Sequence, residues 1–380
     1  MRWAVFAAGA VLVALGWCSI VATFVLPRGR SVFQRATSSA VLAAVHATLV
    51  QASRLLRRYE AKDAVLSAAG PVALVVQLAL FLAAFLAGAA LELYPWAGSM
   101  GLAFRQAAGS LFVVGLADAA GPTNDVVRVL AAATGAVAIA LQIGYLPVIY
   151  QAFARREALV ALMESRAGAP AWGPELLMRH SLIATVDALR PLYRDWELWS
   201  AEVAESHSTH PVLVLFRSAS PGESWLLSLL AVLDAAAMHL ALCPATAPSE
   251  ARMCLRMGFS ALRRHGATLG WPFEHDPSPL GPIELPRAEF DAAVARLAEV
   301  GFPIERAGEE AWRHFRGWRV NYEAIAYKMA DHLVAPHAPW SGPRSHLSPD
   351  VVVPARPPHR SPDGAAAPYD RFRAGDPRLG

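Results

Sequence analysis

Residues 110–124 read SLFVVGLADAAGPTN and lie between two long apolar runs, 65–93 and 126–153. Each run is long enough to cross a hydrocarbon core of about 30 Å at about 1.5 Å per helical residue. An ordinary hairpin between two crossings would be more polar. Residues 99–112, SMGLAFRQAAGSLF, instead form a short helix with Phe104, Ala107, Ala108, Leu111 and Phe112 on its apolar side. A glycine-bearing loop follows, then Asp118, Pro122 and the next crossing. Non-helical backbone at membrane depth is tolerated only where protein buries it or where it lines a watery cavity. The expected order is therefore an outer helix 65–93, a re-entrant half-helix with its loop over 99–118, and an inner helix 125–153.

The rest of the chain fits around this module. Of 380 residues, 55% are hydrophobic and 17% charged, where a soluble protein carries about 25% charge. The apolar excess lies before residue 155. A further run, Trp3 to Leu26, has no charged residue and stops at Pro27-Arg28-Gly29-Arg30; it is read as a retained transmembrane helix within 1–30 rather than a cleaved leader. The fold class is thus all-α: three transmembrane helices plus a re-entrant helix, a cytosolic helical domain over 156–335, and a disordered Pro/Arg-rich tail over 336–380. Arg28, Arg30, Arg35, Arg54, Arg57, Arg58 and Lys62 precede the second span, Arg155 and Arg156 close the third, and only Arg105 lies in 94–124. The positive-inside rule places the N-terminus and 94–124 outside a cell membrane and everything after 154 in the cytoplasm. Lys62 and Lys328 are the only lysines, a usage that suits a GC-rich bacterial genome.

The arrangement around residue 115 resembles the pore-loop ion channels of the potassium-channel type, whose filter reads T-V-G-[YF]-G-D before a proline and the inner helix. The matching positions are Val113, Val114, Gly115, Leu116, Ala117 and Asp118, of which Val114, Gly115 and Asp118 keep the family's residue. The likeness covers 64–155. It implies a selectivity filter at 113–118, a monovalent cation such as potassium as the transported species, and a homotetramer around one axis. It also implies a bend in the inner helix, for which Gly135, Gly144 and Pro147 are the candidates; helix packing at small residues is the competing account. Val113 lacks the family's hydroxyl, Leu116 replaces its aromatic, and Ala117 replaces its second glycine. These departures point away from strict potassium selectivity and leave a weakly selective cation pore and a non-conducting scaffold both open. Asp118 suits either a carboxylate ring at the outer mouth or a local cap or pair with Arg105.

Residues 31–63 read as an amphipathic helix on the inner leaflet or against the cytosolic domain, with Leu42, Val45, Leu49, Ala52 and Leu56 on one face and Ser39, His46, Ser53 and Arg57 on another. Ser224 to Leu242 is apolar enough to span, but Asp234 and His239 inside it favour a buried helix of the soluble domain, with an Arg or His as partner for Asp234. HPVLVLFR at 210–217 passes for a strand or a helix end. In 311–333, Trp312, Phe315, Arg319 and Tyr322 follow one helical line; packing of arginine stems over these aromatics is the leading account, and Arg313, Arg316 and Arg319 are the candidate contacts if the strip instead holds a phosphate-bearing ligand or lipid headgroup. SHSTH at 206–210 and EHD at 274–276 lack metal-ligand spacing, and Cys18, Cys243 and Cys254 read as inert thiols, so no metal or cofactor is expected. A formal charge of +3 does not suggest nucleic acid. No nucleophile elbow, phosphate loop, dinucleotide fingerprint or zinc motif is present, so an enzyme is not expected. The expected function is a cation channel regulated by its cytosolic domain; the alternative is a silent membrane sensor or scaffold with the same fold.

Overall fold

The computed structural model describes residues 2–24, 32–114, 122–345 and 350–354, with side chains from residue 39 onward in the second helix. All regular structure among the described residues is helical. The chain forms two compact units, Met1–Leu49 with Ala68–Ala152, and Val50–Ser67 with Phe153–Gly380. The boundary differs from the expected 64–155 module. Residues 64–67 and 153–155 fall in the second unit, where the neighbouring Asp63 accepts from Arg217 and Phe153 packs on Phe216.

In chain order the first helices are α1 (Arg2–Phe24), α2 (Val32–Ser53), α3 (Tyr59–Ser67), α4 (Ala69–Ala97), α5 (Met100–Leu111) and α6 (Asp125–Ala167). The single helix expected over 31–63 is two, α2 and α3, separated at residues 54–58. The buried side of α2 carries His46, Val50 and Ser53, two of which were assigned to the polar face, while Ala52 is exposed.

In the first unit α1 runs antiparallel to α4. Trp3 and Phe6 meet Trp96 at one end, with ring centroids 5.6 and 5.8 Å apart; Phe24 meets Phe81 further along. Helix α6 runs parallel to α1: Trp17 donates to the Thr134 hydroxyl at 3.3 Å and Phe24 meets Tyr145 at 4.8 Å. Between them lies α5. Gly98, at φ +74°, turns the chain out of α4, and the Ser99 hydroxyl caps α5 by accepting from the Leu102 N–H. Small residues then let α5 lie close to its neighbours: Ala103 and Ala107 share a cluster with Ala97, Val127 and Ala131. One turn further, Leu111 packs with Ile20, Phe85 and Ala138. Phe85 lies twelve residues before Ala97, about 18 Å along α4. By Val127 the chain is back beside Ala97. Helix α5 therefore reaches roughly the middle of the bundle and the chain returns to the end it came from.

Helix α6 continues unbroken through Pro147 to Ala167, where Gly168 ends it at φ +85°. The second unit then builds α7 (Gly173–Leu182), α8 (Leu189–Thr209), α9 (Trp225–Leu242), α10 (Ser249–Thr268), α11 (Arg287–Glu299), α12 (Gly308–Arg319) and α13 (Glu323–His332). The stretch 210–217 contains a short 3₁₀ turn, Pro211–Leu215. Four helical stretches are long and apolar enough to cross a membrane: Arg2–Phe24, Tyr59–Ala97, Asp125–Ala167 and Trp225–Leu242. In their most apolar windows the first three bury 17%, 28% and 28% of residues, the fourth 94%. The first three leave their apolar surface available to lipid; α9 is the core of the second unit, packed by α7, α8, α10, α12 and α13.

Residues 336–345, expected within the disordered tail, pack into the second unit. Ala338, Trp340, Ser341 and Arg344 are buried, Arg344 donates to the carbonyls of Ala335, Pro336 and Ser341, and the Val352 N–H donates to the His337 carbonyl at 2.7 Å. Proline and glycine content suggested disorder there, but the two side chains Trp340 and Arg344 supply the burial and bonding that fix the loop. Residues 355–380 lie outside the described residues.

A Cβ at Gly135 would sit 2.0 Å from the Leu111 carbonyl oxygen, whereas one at Gly144 meets nothing within 4 Å. Gly135→Ala should therefore destabilise the detergent-solubilised protein by about 1–3 kcal/mol through overpacking, seen as a lower thermal midpoint, while Gly144→Ala leaves the midpoint in place.

Candidate functional site

The first candidate site is the turn at the end of α5. The Phe112 N–H donates to the Ala108 carbonyl, the Val113 N–H to Ser110 and the Val114 N–H to Gly109, at 3.1, 3.1 and 3.2 Å. The last two bonds form a Schellman cap. Its left-handed position is filled by Val113, at φ +53°, where glycine is the usual residue; a β-branched side chain there costs about 1–2 kcal/mol. These bonds satisfy the carbonyls of Ala108, Gly109 and Ser110 from within the chain, which suits a helix end surrounded by apolar side chains. Phe112, Val113 and Val114 are 44%, 70% and 66% exposed, so this turn presents apolar surface halfway along the bundle. The chain rejoins at α6 through Asn124, whose side-chain oxygen accepts from the N–H groups of Val126 and Val127 at 3.1 and 3.3 Å. Arg128 donates to the Ser110 hydroxyl at 3.4 Å. Of the filter positions, Val113 and Val114 are placed here; Gly115, Leu116, Ala117 and Asp118 lie outside the described residues.

The second candidate site is a cluster of buried charges in the second unit. The line Trp312, Phe315, Arg319, Tyr322 is the core face of α12 and its continuation, and all four are buried. The guanidinium of Arg319 donates through Nε to Glu323, through Nη1 to Asp234, and through Nη2 to the Tyr327 hydroxyl at 2.7 Å and the Trp340 carbonyl at 2.8 Å. Asp234 also accepts from the Tyr322 hydroxyl at 2.8 Å, and Glu323 accepts the N–H groups of Glu284 and Leu285. Burial pushes the Asp234 carboxyl up to about 6 against the opposing pull of Arg319 and Tyr322. Arg319 is thus the partner that Asp234 required.

Arg313, Arg316 and Arg319 do not share one environment, and for Arg319 packing among aromatics is the account that the burial fits. Arg319 is fully buried, Arg313 is exposed, and Arg316 is half-buried with its Nε lacking a partner. A helical line that continues the spacing of Trp312 and Phe315 faces inward, whatever its charge. With four donated bonds and no exposed surface, Arg319 ties α9, α12, α13 and the 338–341 loop together. Beside this tie a groove of about 500 Å³ opens between Trp172, Pro286, Tyr327, Trp340, Val351 and Val353; nothing in the sequence marked it, because its wall comes from the part of the chain that reads as tail.

A second buried arginine was missed. Arg156, three turns before the end of α6, pairs with Glu157 at 2.7 Å, donates to the carbonyls of Leu213 and Phe216 at 2.9 and 2.7 Å and lies 3.1 Å from His207 Nε2. A guanidinium only donates, so His207 Nε2 accepts and the proton sits on Nδ1. Its ring lies 5.3 Å from that of His265, which packs on Trp225 and whose two nitrogens lack hydrogen-bond partners. Burial first, then Arg264 and Arg156, hold His265 down to about 3; burial first, then Arg156 and His265, hold His207 well below 6.5. The ring nitrogen of His207 that the SHSTH stretch offers as a ligand therefore faces a cation. Within EHD, the His275 carbonyl accepts from Arg263. Cys243 and Cys254 are buried and Cys18 is exposed; all three are free thiols.

No protein-family model matches the chain, and comparison with curated proteins and with solved structures gives no match either.

Removing one partner of a buried ion pair strands the other charge, at about 3–5 kcal/mol. Arg319→Met, which leaves Asp234 and Glu323 buried without their shared cation, should lower the denaturation free energy of the full-length protein by that amount in urea melts followed by tryptophan fluorescence, and Arg313→Ala should change it by less than about 0.5 kcal/mol. The depressed imidazoles add a pH dependence. The unfolded chain takes up these protons near 6.5 and the folded chain does not, so stability is full above about pH 7 and falls as the pH drops toward 3. Asp234, with its raised pKa, acts in the opposite sense over about 4–6, so the comparison that isolates one ring is His265→Phe. That variant should lose about 2 kcal/mol less than the parent between pH 7 and pH 5.

Proposed function

We propose that the first unit is a pore-loop channel module that assembles as a homotetramer in the cell membrane and passes monovalent cations, potassium among them, with weak selectivity. The observation that carries this reading is the course of α5: it leaves the end of α4, descends to the level of Phe85 and Ala138, and stops in a self-satisfied cap before the chain returns to α6. A half-crossing helix followed by non-helical backbone needs shelter from lipid, and an axis shared by several copies supplies it. The partial filter likeness at Val114, Gly115 and Asp118 gives the sheltered segment a task, carbonyl coordination of a dehydrated ion. The excess of Arg and Lys in 27–63 and after 154 orients the module with its N-terminus and the α4–α5 corner outside and the second unit in the cytoplasm.

A second reading shares the fold and drops conduction: a silent tetrameric sensor or scaffold. Val113 favours it, since it lacks the hydroxyl that forms the innermost ligand ring of the family and is committed to capping α5.

Purified full-length protein in liposomes separates the two. The channel reading expects monovalent cation flux above empty vesicles and its loss in Gly115→Val. Silence in the parent under every gradient and pH tested, and also in the triple variant Val113→Thr, Leu116→Tyr, Ala117→Gly, would remove it and leave the scaffold.

A further inference from the structure

The segment that leads into α4 and the segment into which α6 runs are both held by the same short piece of the second unit, residues 211–217. Arg217 donates through Nε to Asp63 of α3 at 2.5 Å, through Nη2 to the Tyr59 hydroxyl at 2.7 Å, and to the carbonyls of Leu333 and Val334 at 2.6 and 3.1 Å. Both members of the ion pair are nearly buried, with side chains 13% and 9% exposed. On the other side, Arg156 of α6 takes the carbonyls of Leu213 and Phe216, and the Trp199 indole N–H fixes the Arg156 carbonyl at 2.9 Å. Phe153 of α6 packs on Phe216, ring centroids 5.6 Å apart. Residues 212–216 between these grips are all buried and wound as a 3₁₀ turn opened by Pro211, which leaves the segment little freedom to stretch.

We propose that residues 211–217 are the joint through which the helical domain sets the membrane module: one rigid turn grips α3 and α6 together, so that the two arms shift as one. The proposal rests on the pore-loop reading for its consequence, the control of conduction, but not for its geometry. Two buried guanidiniums make the grip selective. Each holds main-chain carbonyls of an adjoining segment as well as a side chain, so a displaced turn takes buried carbonyl acceptors from Arg156, leaving it Glu157 alone as charged partner, and draws Arg217 away from Asp63. A helical domain that changes shape at 333–334, where Arg217 also bonds, would thereby act on α3 and α6 at once. Connection through a shared packed element is a physical route of coupling, and its test is whether disturbing one arm is felt at the other.

The experiment is hydrogen–deuterium exchange of full-length protein in nanodiscs, read on peptides covering 59–67 and 153–160. Arg217→Gln and Asp63→Asn act on the first arm, Arg156→Gln on the second. Each is expected to raise exchange at least tenfold in both peptides. A rise confined to the arm that carries the substitution would overturn the joint. Tyr59→Phe, which removes only the phenol's bonds to Arg217 and Val334, provides a milder variant that keeps the fold: a smaller rise in both peptides supports the joint, and a rise in 59–67 alone overturns it. Cation flux measured on the same preparations separates the two ideas. Two-arm exchange in a protein that passes no ion supports the joint and rejects the pore; flux with arm-limited exchange does the reverse.

Discussion

Everything in the first unit follows from one close approach, the carbonyl of Leu111 against the bare Cα of Gly135. A helix that stops halfway along an apolar bundle exposes backbone groups where water is scarce, and each unpaired one is costly. Helix α5 solves part of this by folding its own end back, so that the carbonyls of Ala108, Gly109 and Ser110 accept bonds from residues 112–114. It solves another part by lying very close to its neighbours, with alanines on α4 and α6 and no side chain at 135. The positive φ of Val113 is the cost of that solution. What remains is exposed apolar surface at 112–114, which the described residues of one chain do not cover. This is the physical ground for an assembly, and hence for reading the unit as a pore-loop module.

The second unit depends on a different kind of constraint. Three of its internal ties are arginines largely taken out of water: Arg319 among Asp234, Glu323 and two aromatic residues' oxygen atoms, Arg156 among carbonyls, Glu157 and His207, Arg217 between Asp63 and the end of α13. Such groups add little net stability over a well-packed apolar core, but they tolerate no substitute geometry. They fix which helices meet. Two of the three also fix the segments through which the chain passes to the first unit, and that is why the division between units falls at 67 and 153 rather than where the hydrophobicity changes.

Some of this was legible in the amino-acid pattern. The half-helix at 100–111 announced itself by an apolar face too short to cross and by Ser99 at its start. The stop after Ala167 was written in Gly168-Ala169-Pro170. A carboxylate at 234 inside an apolar run required a buried soluble helix with a basic partner. Arg319 lies on the line of Trp312 and Phe315, with Glu323 one helical turn after it, but no local pattern pairs it with a carboxylate 85 residues earlier. The break between α2 and α3 carries no glycine or proline, only RLLRR at 54–58. The ordered stretch at 336–345 was hidden by its prolines, since the bonds that hold it run from the Arg344 side chain to main-chain carbonyls and leave no periodic trace. Arg156, His207 and His265 are brought together from distant parts of the chain, and so are Arg217 and Asp63, which no local pattern records.

The most direct measurement is the number and symmetry of subunits in lipid nanodiscs, by single-particle imaging of the unmodified protein. Four copies about one axis, with residues 112–114 of every copy turned toward that axis, are what the account predicts. A monomer, or any assembly in which the end of α5 faces lipid away from the symmetry axis, would contradict it.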